Sequence, residues 1–142
     1  MTTEPNPVVT PAGDTSPASL HPIVRTILLA AANEAATARG PGRREAFRTS
    51  RYLLAACRVL EQPRADIAAL LGVRGAAVTA RSAVEGAIPA ETFARLAGIE
   101  VDEIDAWRSA GVLPDPVAEF PGRISYPATA LLDALLSTRW AA

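Results

Sequence analysis

The chain is poor in the residue types that carry most site chemistry. Its 142 residues include one cysteine, one histidine and one methionine; aromatics make up 5%, and all 14 basic residues are arginine. A single cysteine excludes an internal disulfide. Cys57 sits in the apolar run "RYLLAACRVL", which predicts a buried structural thiol rather than a nucleophile. With His21 alone and no cysteine cluster, no zinc site is expected, and no cofactor is indicated. No segment is long and apolar enough to span a bilayer. Residues 1–19 lack the basic region and apolar run of a signal peptide, so the cytoplasm is the expected compartment. There is no nucleophile–base pair, no phosphate-binding glycine loop and no carboxylate pair tied to a pocket, so nothing points to an enzyme.

Hydrophobic residues make up 49% of the chain, and alanine supplies much of that share. Alanine favours helix and close helix packing over a bulky sheet core. The expected fold is therefore all-α, a helical bundle with at most one short ribbon. The length fits one domain, or two very small ones packed together.

The net charge of −1 conceals a strong asymmetry. Residues 20–84 hold ten arginines against four acids, a balance of +6, whereas residues 85–142 hold four arginines against nine acids, a balance of −5. The tail adds Glu4 and Asp14. Local fields of this kind matter more for partners than the total does.

Three regions follow. Residues 1–19, rich in proline and threonine, bury too little to order and are expected to be disordered. Residues 20–86 form a basic helical region, with helices expected at about 22–37, 43–61 and 63–71 and another beginning near 74. Residues 87–142 form an acidic region, with helices at 89–97, 101–110 and 127–138. A small wing over "DPVAEFPGRISY", residues 115–126, turns at "PGR". In the second helix, Leu53, Cys57 and Leu60 make an apolar stripe. Arg44, Arg48, Arg51 and Arg58 make a basic one, which reads equally as a solvated surface or as a rail of phosphate contacts.

Ala68, Gly72 and Val78 have helix-turn-helix spacing: a small residue where two helices touch, a glycine for the positive-φ turn, a branched residue anchoring the second helix. Gly98 and its flanks repeat the arrangement. With Asp66 before Ile67-Ala68, then Leu71-Gly72-Val73, Ala77-Val78 and Arg81, residues 66–82 resemble the helix-turn-helix of sigma factor region 4. The likeness is strongest to the extracytoplasmic-function type and extends to related response regulators. Ala97-Gly98-Ile99, Val101, Ile104, Trp107, Gly111 and Leu113-Pro114 come next, then Arg123, Ile124 and Tyr126 in the wing. On these residues, 92–136 is similar to the winged helix of MerR-type regulators and excisionases. That resemblance implies double-stranded DNA binding through the helix at 101–110 and through Arg123.

The chain departs from the winged-helix pattern in charge. Glu100 stands where that family usually has Ser or Thr, and Asp102 and Asp105 stand near its common arginines. Carboxylates at a surface that should meet phosphates are repulsive. Asp102 and Glu103 also suit the positive end of their own helix dipole. The expected DNA contacts therefore move upstream. Arg74, Thr79 and Arg81 are the candidates on the second helix of the first motif, and Arg64 on the helix before it. Arg44, Arg48 and Arg51 could add backbone contacts. Glu100, Asp102, Glu103 and Asp105 become candidates for a protein partner or for self-association through the acidic half. The leading expectation is a small DNA-binding transcriptional regulator. The alternatives are an interaction module without DNA contact, such as a sigma factor or polymerase partner or an anti-repressor, and an excisionase-like architectural factor.

Overall fold

The computed structural model describes residues 20–117 and 123–139. The tail expected to be disordered and the centre of the expected wing, residues 118–122, lie outside the described residues. Among the described residues there are seven helices and one two-stranded sheet, the all-α bundle that the alanine-rich composition predicts.

Helix α1, Pro22–Thr37, starts where the sequence signals it. Pro22 occupies the first turn, and Nδ1 of His21 accepts the Ile23 N–H at 3.1 Å. Helix α2, Pro41–Val59, begins two residues before the expected start, because Gly40 takes φ +61° and lets Pro41 open the helix. It ends before the expected position 61 because Glu61 adopts φ +59° and the Gln62 N–H turns back to the Cys57 carbonyl at 2.9 Å. A left-handed residue other than glycine costs about 1–2 kcal/mol. The second half of α2 is buried almost all round, at Leu53, Leu54, Ala55, Ala56 and Cys57, since α1, α4 and α7 pack around it. The single stripe visible in the sequence covers one of those faces, and its Leu60 is only half-buried.

Two helix pairs follow. In the first, α3 (Arg64–Leu71) leads into α4 (Gly75–Arg81). In the second, α5 (Ala90–Ala97) leads into α6 (Val101–Ser109). Gly72 and Gly98, 26 residues apart, end the first helix of each pair in the left-handed region at φ +68° and +71°. Among the described residues no other group lies within 4 Å of a Cβ built at either glycine, so the requirement is one of backbone conformation. The residue after each glycine returns its N–H to an alanine carbonyl, Val73 to Ala68 and Ile99 to Ala94, each at 3.0 Å. An extended residue then opens the second helix, Arg74 in one pair and Glu100 in the other. Pro63 and Pro89 introduce the two pairs in the same way.

Strand β1, Ala87–Pro89, pairs antiparallel with β2, Ser125–Pro127, in the register Ala87↔Pro127, Ile88↔Tyr126 and Pro89↔Ser125. Val117 bridges Ser125 from the other side, with its N–H on the Ser125 carbonyl at 2.8 Å. The ribbon expected within 115–126 is thus joined by a strand preceding α5 that the sequence pattern did not indicate. At Gly86 the chain passes against the Tyr52 ring, where a Cβ would overlap it, and the Gly86 carbonyl accepts the Ala128 N–H at 2.9 Å. Helix α7, Ala128–Arg139, buries Leu131, Leu132 and Leu135. A single hydrophobic cluster runs from Leu20 to Leu135 and includes Phe93, Ile104, Trp107 and Tyr126. The basic and acidic regions share this core, with α1 against α5 and α2 against α7.

Candidate nucleic-acid interface

The first helix pair is fixed by contacts that leave one side of α4 open. Asp66 in the first turn of α3 accepts the Leu20 N–H on Oδ2 at 3.1 Å, tying the pair to the start of α1. Val78 turns into the core at 4% exposure. At the far end, Arg58 of α2 donates from Nε to the carbonyl of Ser82, the C-terminal cap of α4, at 2.9 Å. A cation at a helix C-terminus satisfies orphan carbonyls and favours the dipole. Arg58, the last member of the arginine stripe, therefore holds α4 in place, with Glu85 3.9 Å from its guanidinium.

Arg74, Ala76, Thr79, Ala80 and Arg81 are exposed along α4 and at its start. Two candidates from different helices meet here. Arg64 donates from Nη1 to Thr79 Oγ1 at 2.9 Å, and that hydroxyl donates to the Gly75 carbonyl at 3.2 Å. The Arg64 side chain crosses Gly75 closely, its Nε 3.5 Å from where a Cβ would stand. Exposed Arg64 and Thr79 form one small cluster across half-buried Gly75, next in the chain to Arg74. The Arg74 side chain does not cap α4 at its start.

Arg44, Arg48 and Arg51 are exposed on α2. Arg51 meets Arg81 across a groove floored by Phe47, Leu54, Leu71 and alanines of α1. This groove joins the α2 stripe to the first helix pair, a relation between residues 30 apart that spacing alone does not reveal. Arg43 stacks over the Phe47 ring at 5.4 Å from its centroid.

The second pair carries the opposite charge on the same scaffold. Ile104 and Trp107 are buried in the core. Glu100, Asp102 and Asp105 are exposed and Glu103 is half-buried. The Glu100 side chain does not cap α6. Asp105 lines a hollow with Glu91, Val101, Arg123 and Ile124.

Arg123, expected to reach DNA from the wing, is held by the fold. Its Nη1 lies 3.0 Å from Glu45 Oε2 and its Nη2 donates to Thr92 Oγ1 at 3.2 Å, which ties the wing segment to α2 and α5. Arg95, which the sequence did not single out, makes a two-pronged ion pair with Glu34 at 2.8 and 3.0 Å and joins α5 to α1. The hydrogen bonds that Arg95 donates to the Glu34 carboxylate raise its already high pKa further. Burial pushes the Cys57 thiol up to about 12, which removes it as a nucleophile near neutral pH. Comparison of the chain with protein-family models, with curated proteins and with solved structures gives no match.

Proposed function

We propose that the protein is a small DNA-binding transcriptional regulator that contacts double-stranded DNA through the first helix pair and uses the acidic pair for protein contacts. The carrying observation is the exposed cationic side of α4 and α2. Arg44, Arg51, Arg74 and Arg81 are exposed and make no ion pair among the described residues. The resemblance of residues 66–82 to the sigma factor region 4 motif supports the same reading. Arg74 at the start of α4 would reach a guanine or a phosphate, and Arg64 with Thr79 a phosphate beside it. Arg81, Arg51, Arg48 and Arg44 would extend the backbone contacts. Ala76 and Ala80 admit a close approach but read no base, so one copy binds weakly and base discrimination is sparse. Arg123 is left out of this surface because Glu45 and Thr92 hold it.

The test is a gel shift of duplex DNA across a salt series, comparing wild type with Arg74→Ala/Arg81→Ala. The expected result is a loss of about 10- to 100-fold in affinity and a fall of about two in the salt slope. Unchanged affinity would remove α4 from the interface. A second reading, an interaction module without DNA contact, is favoured by the exposed acids Glu100, Asp102 and Asp105, which also make no ion pair among the described residues. Absence of DNA binding by the folded wild type at about 20 mM salt, where screening is weak, would select it.

A further inference from the structure

We infer that the groove between α1, α2 and the first helix pair receives α6 of a second copy of this chain. The inference rests on the reading of the acidic pair as a protein-contact surface and names its partner. The groove, about 390 Å³, is lined by Phe47, Leu54, Leu71 and alanines of α1 together with Ser50, Arg51 and Arg81. Phe47 is 44% exposed, with the Arg43 guanidinium over its ring. A ligand for this groove is apolar where it meets the floor and anionic where it meets the arginines.

Helix α6 presents that chemistry. Val101 is 37% exposed and shares one stretch of helix surface with exposed Asp102 and Asp105. Ile124, 53% exposed, lines the same hollow as Val101 and Asp105 and widens the apolar patch. The two surfaces match in sign and in their mixture of apolar and charged groups. They are not joined within one chain: no ion pair among the described residues links Arg51 or Arg81 to Glu100, Asp102 or Asp105. A second molecule supplies the missing partner. If two copies exchange α6 reciprocally the assembly is an isologous two-fold dimer, and otherwise the contact is heterologous and extends head to tail. Helix α6 has nine residues, so the area buried is small and the association weak, steered by charge and reduced by salt.

The same arginines are assigned to DNA, so self-association and DNA binding exclude each other, and duplex DNA disperses the assembly. The experiment is sedimentation velocity of the full chain over a concentration series, at about 20 and about 300 mM salt. Association is expected at low salt and at least tenfold weaker at high salt. Two charge variants, Arg51→Glu/Arg81→Glu and Asp102→Arg/Asp105→Arg, are each expected to sediment as monomers, and their mixture to re-form a one-to-one complex. Circular dichroism of each variant confirms the fold, and the milder pair Arg81→Gln and Asp105→Asn, each expected to weaken association severalfold, replaces any variant that fails it. A wild type that stays monomeric at low salt overturns the proposal. So does association untouched by either charge variant, or a mixture that remains monomeric. Fluorescence anisotropy on labelled duplex DNA is read separately, so failure to bind DNA with self-association intact removes the regulator reading and leaves this one standing.

Discussion

At the start of α4 the chain places Arg74, and 26 residues later, at the start of α6, it places Glu100. The backbones around the two residues are nearly alike, with φ and ψ of −81° and 155° against −80° and 145°. Each follows a left-handed glycine, and each precedes a helix anchored in the core by a β-branched residue, Val78 or Ile104. Solvent-facing Ala76 and Thr79 in one pair correspond to Asp102 and Asp105 in the other. The shared frame belongs to folding, because it follows from the glycine, the anchor and the proline that opens each pair. The exposed residues are free of that constraint, and function is read from them. Only their charge separates a surface suited to phosphates from one that repels them.

The largest expected effects lie at the core anchors of the two pairs. Ile104 is fully buried and Val78 is 4% exposed. Truncating Ile104 to Ala is expected to lower unfolding free energy by about 3 kcal/mol, and truncating Val78 to Ala by about 2 kcal/mol. Urea unfolding followed by circular dichroism checks both, and a larger loss at Val78 would mean that the first pair is the better packed of the two. A matched test comes next. Gly72→Ala and Gly98→Ala each force a side chain into the left-handed region without meeting a neighbour. Each is expected to cost about 1–2 kcal/mol, and unequal costs would show that the two turns are not energetically equivalent. Arg58→Ala removes the cap from α4, for which α6 has no arginine counterpart among the described residues. A loss of about 1 kcal/mol is expected, together with faster amide exchange in α4 and unchanged exchange in α6. The smallest effect lies outside both pairs. Glu61→Gly relieves the left-handed backbone that ends α2 and is expected to raise the thermal midpoint slightly, by no more than the equivalent of about 1 kcal/mol.

Most helix positions were legible because prolines and glycines punctuate the chain. Pro22, Pro41, Pro63 and Pro89 lie at or just before helix starts, and Gly72 and Gly98 cap helix ends. The two-residue error at each end of α2 came from Gly40 and Glu61, whose positive φ values are choices of the tertiary structure. Strand β1 was not legible. It is three residues long, it alternates nothing, and its partner lies 38 residues away. The arginines divide by the same logic. Their spacing revealed the stripe on α2 and the exposed row on α4. Nothing local showed that Arg58 caps α4, that Arg95 meets Glu34 across 61 positions, or that Arg123 meets Glu45 across 78. Charge segregation was visible as a count, whereas the groove that brings Arg51 to Arg81 required the fold.

On the proposed reading the first helix pair, and not the second, faces DNA. The most direct test is the salt slope of duplex binding, measured by anisotropy on three chains: wild type, Arg74→Ala/Arg81→Ala, and Asp102→Ala/Asp105→Ala. On this reading the slope is lower by about two in the arginine variant and unchanged in the aspartate variant, whose affinity stays equal or rises. An arginine variant that binds with the wild-type slope, or an aspartate variant that loses affinity, would contradict it.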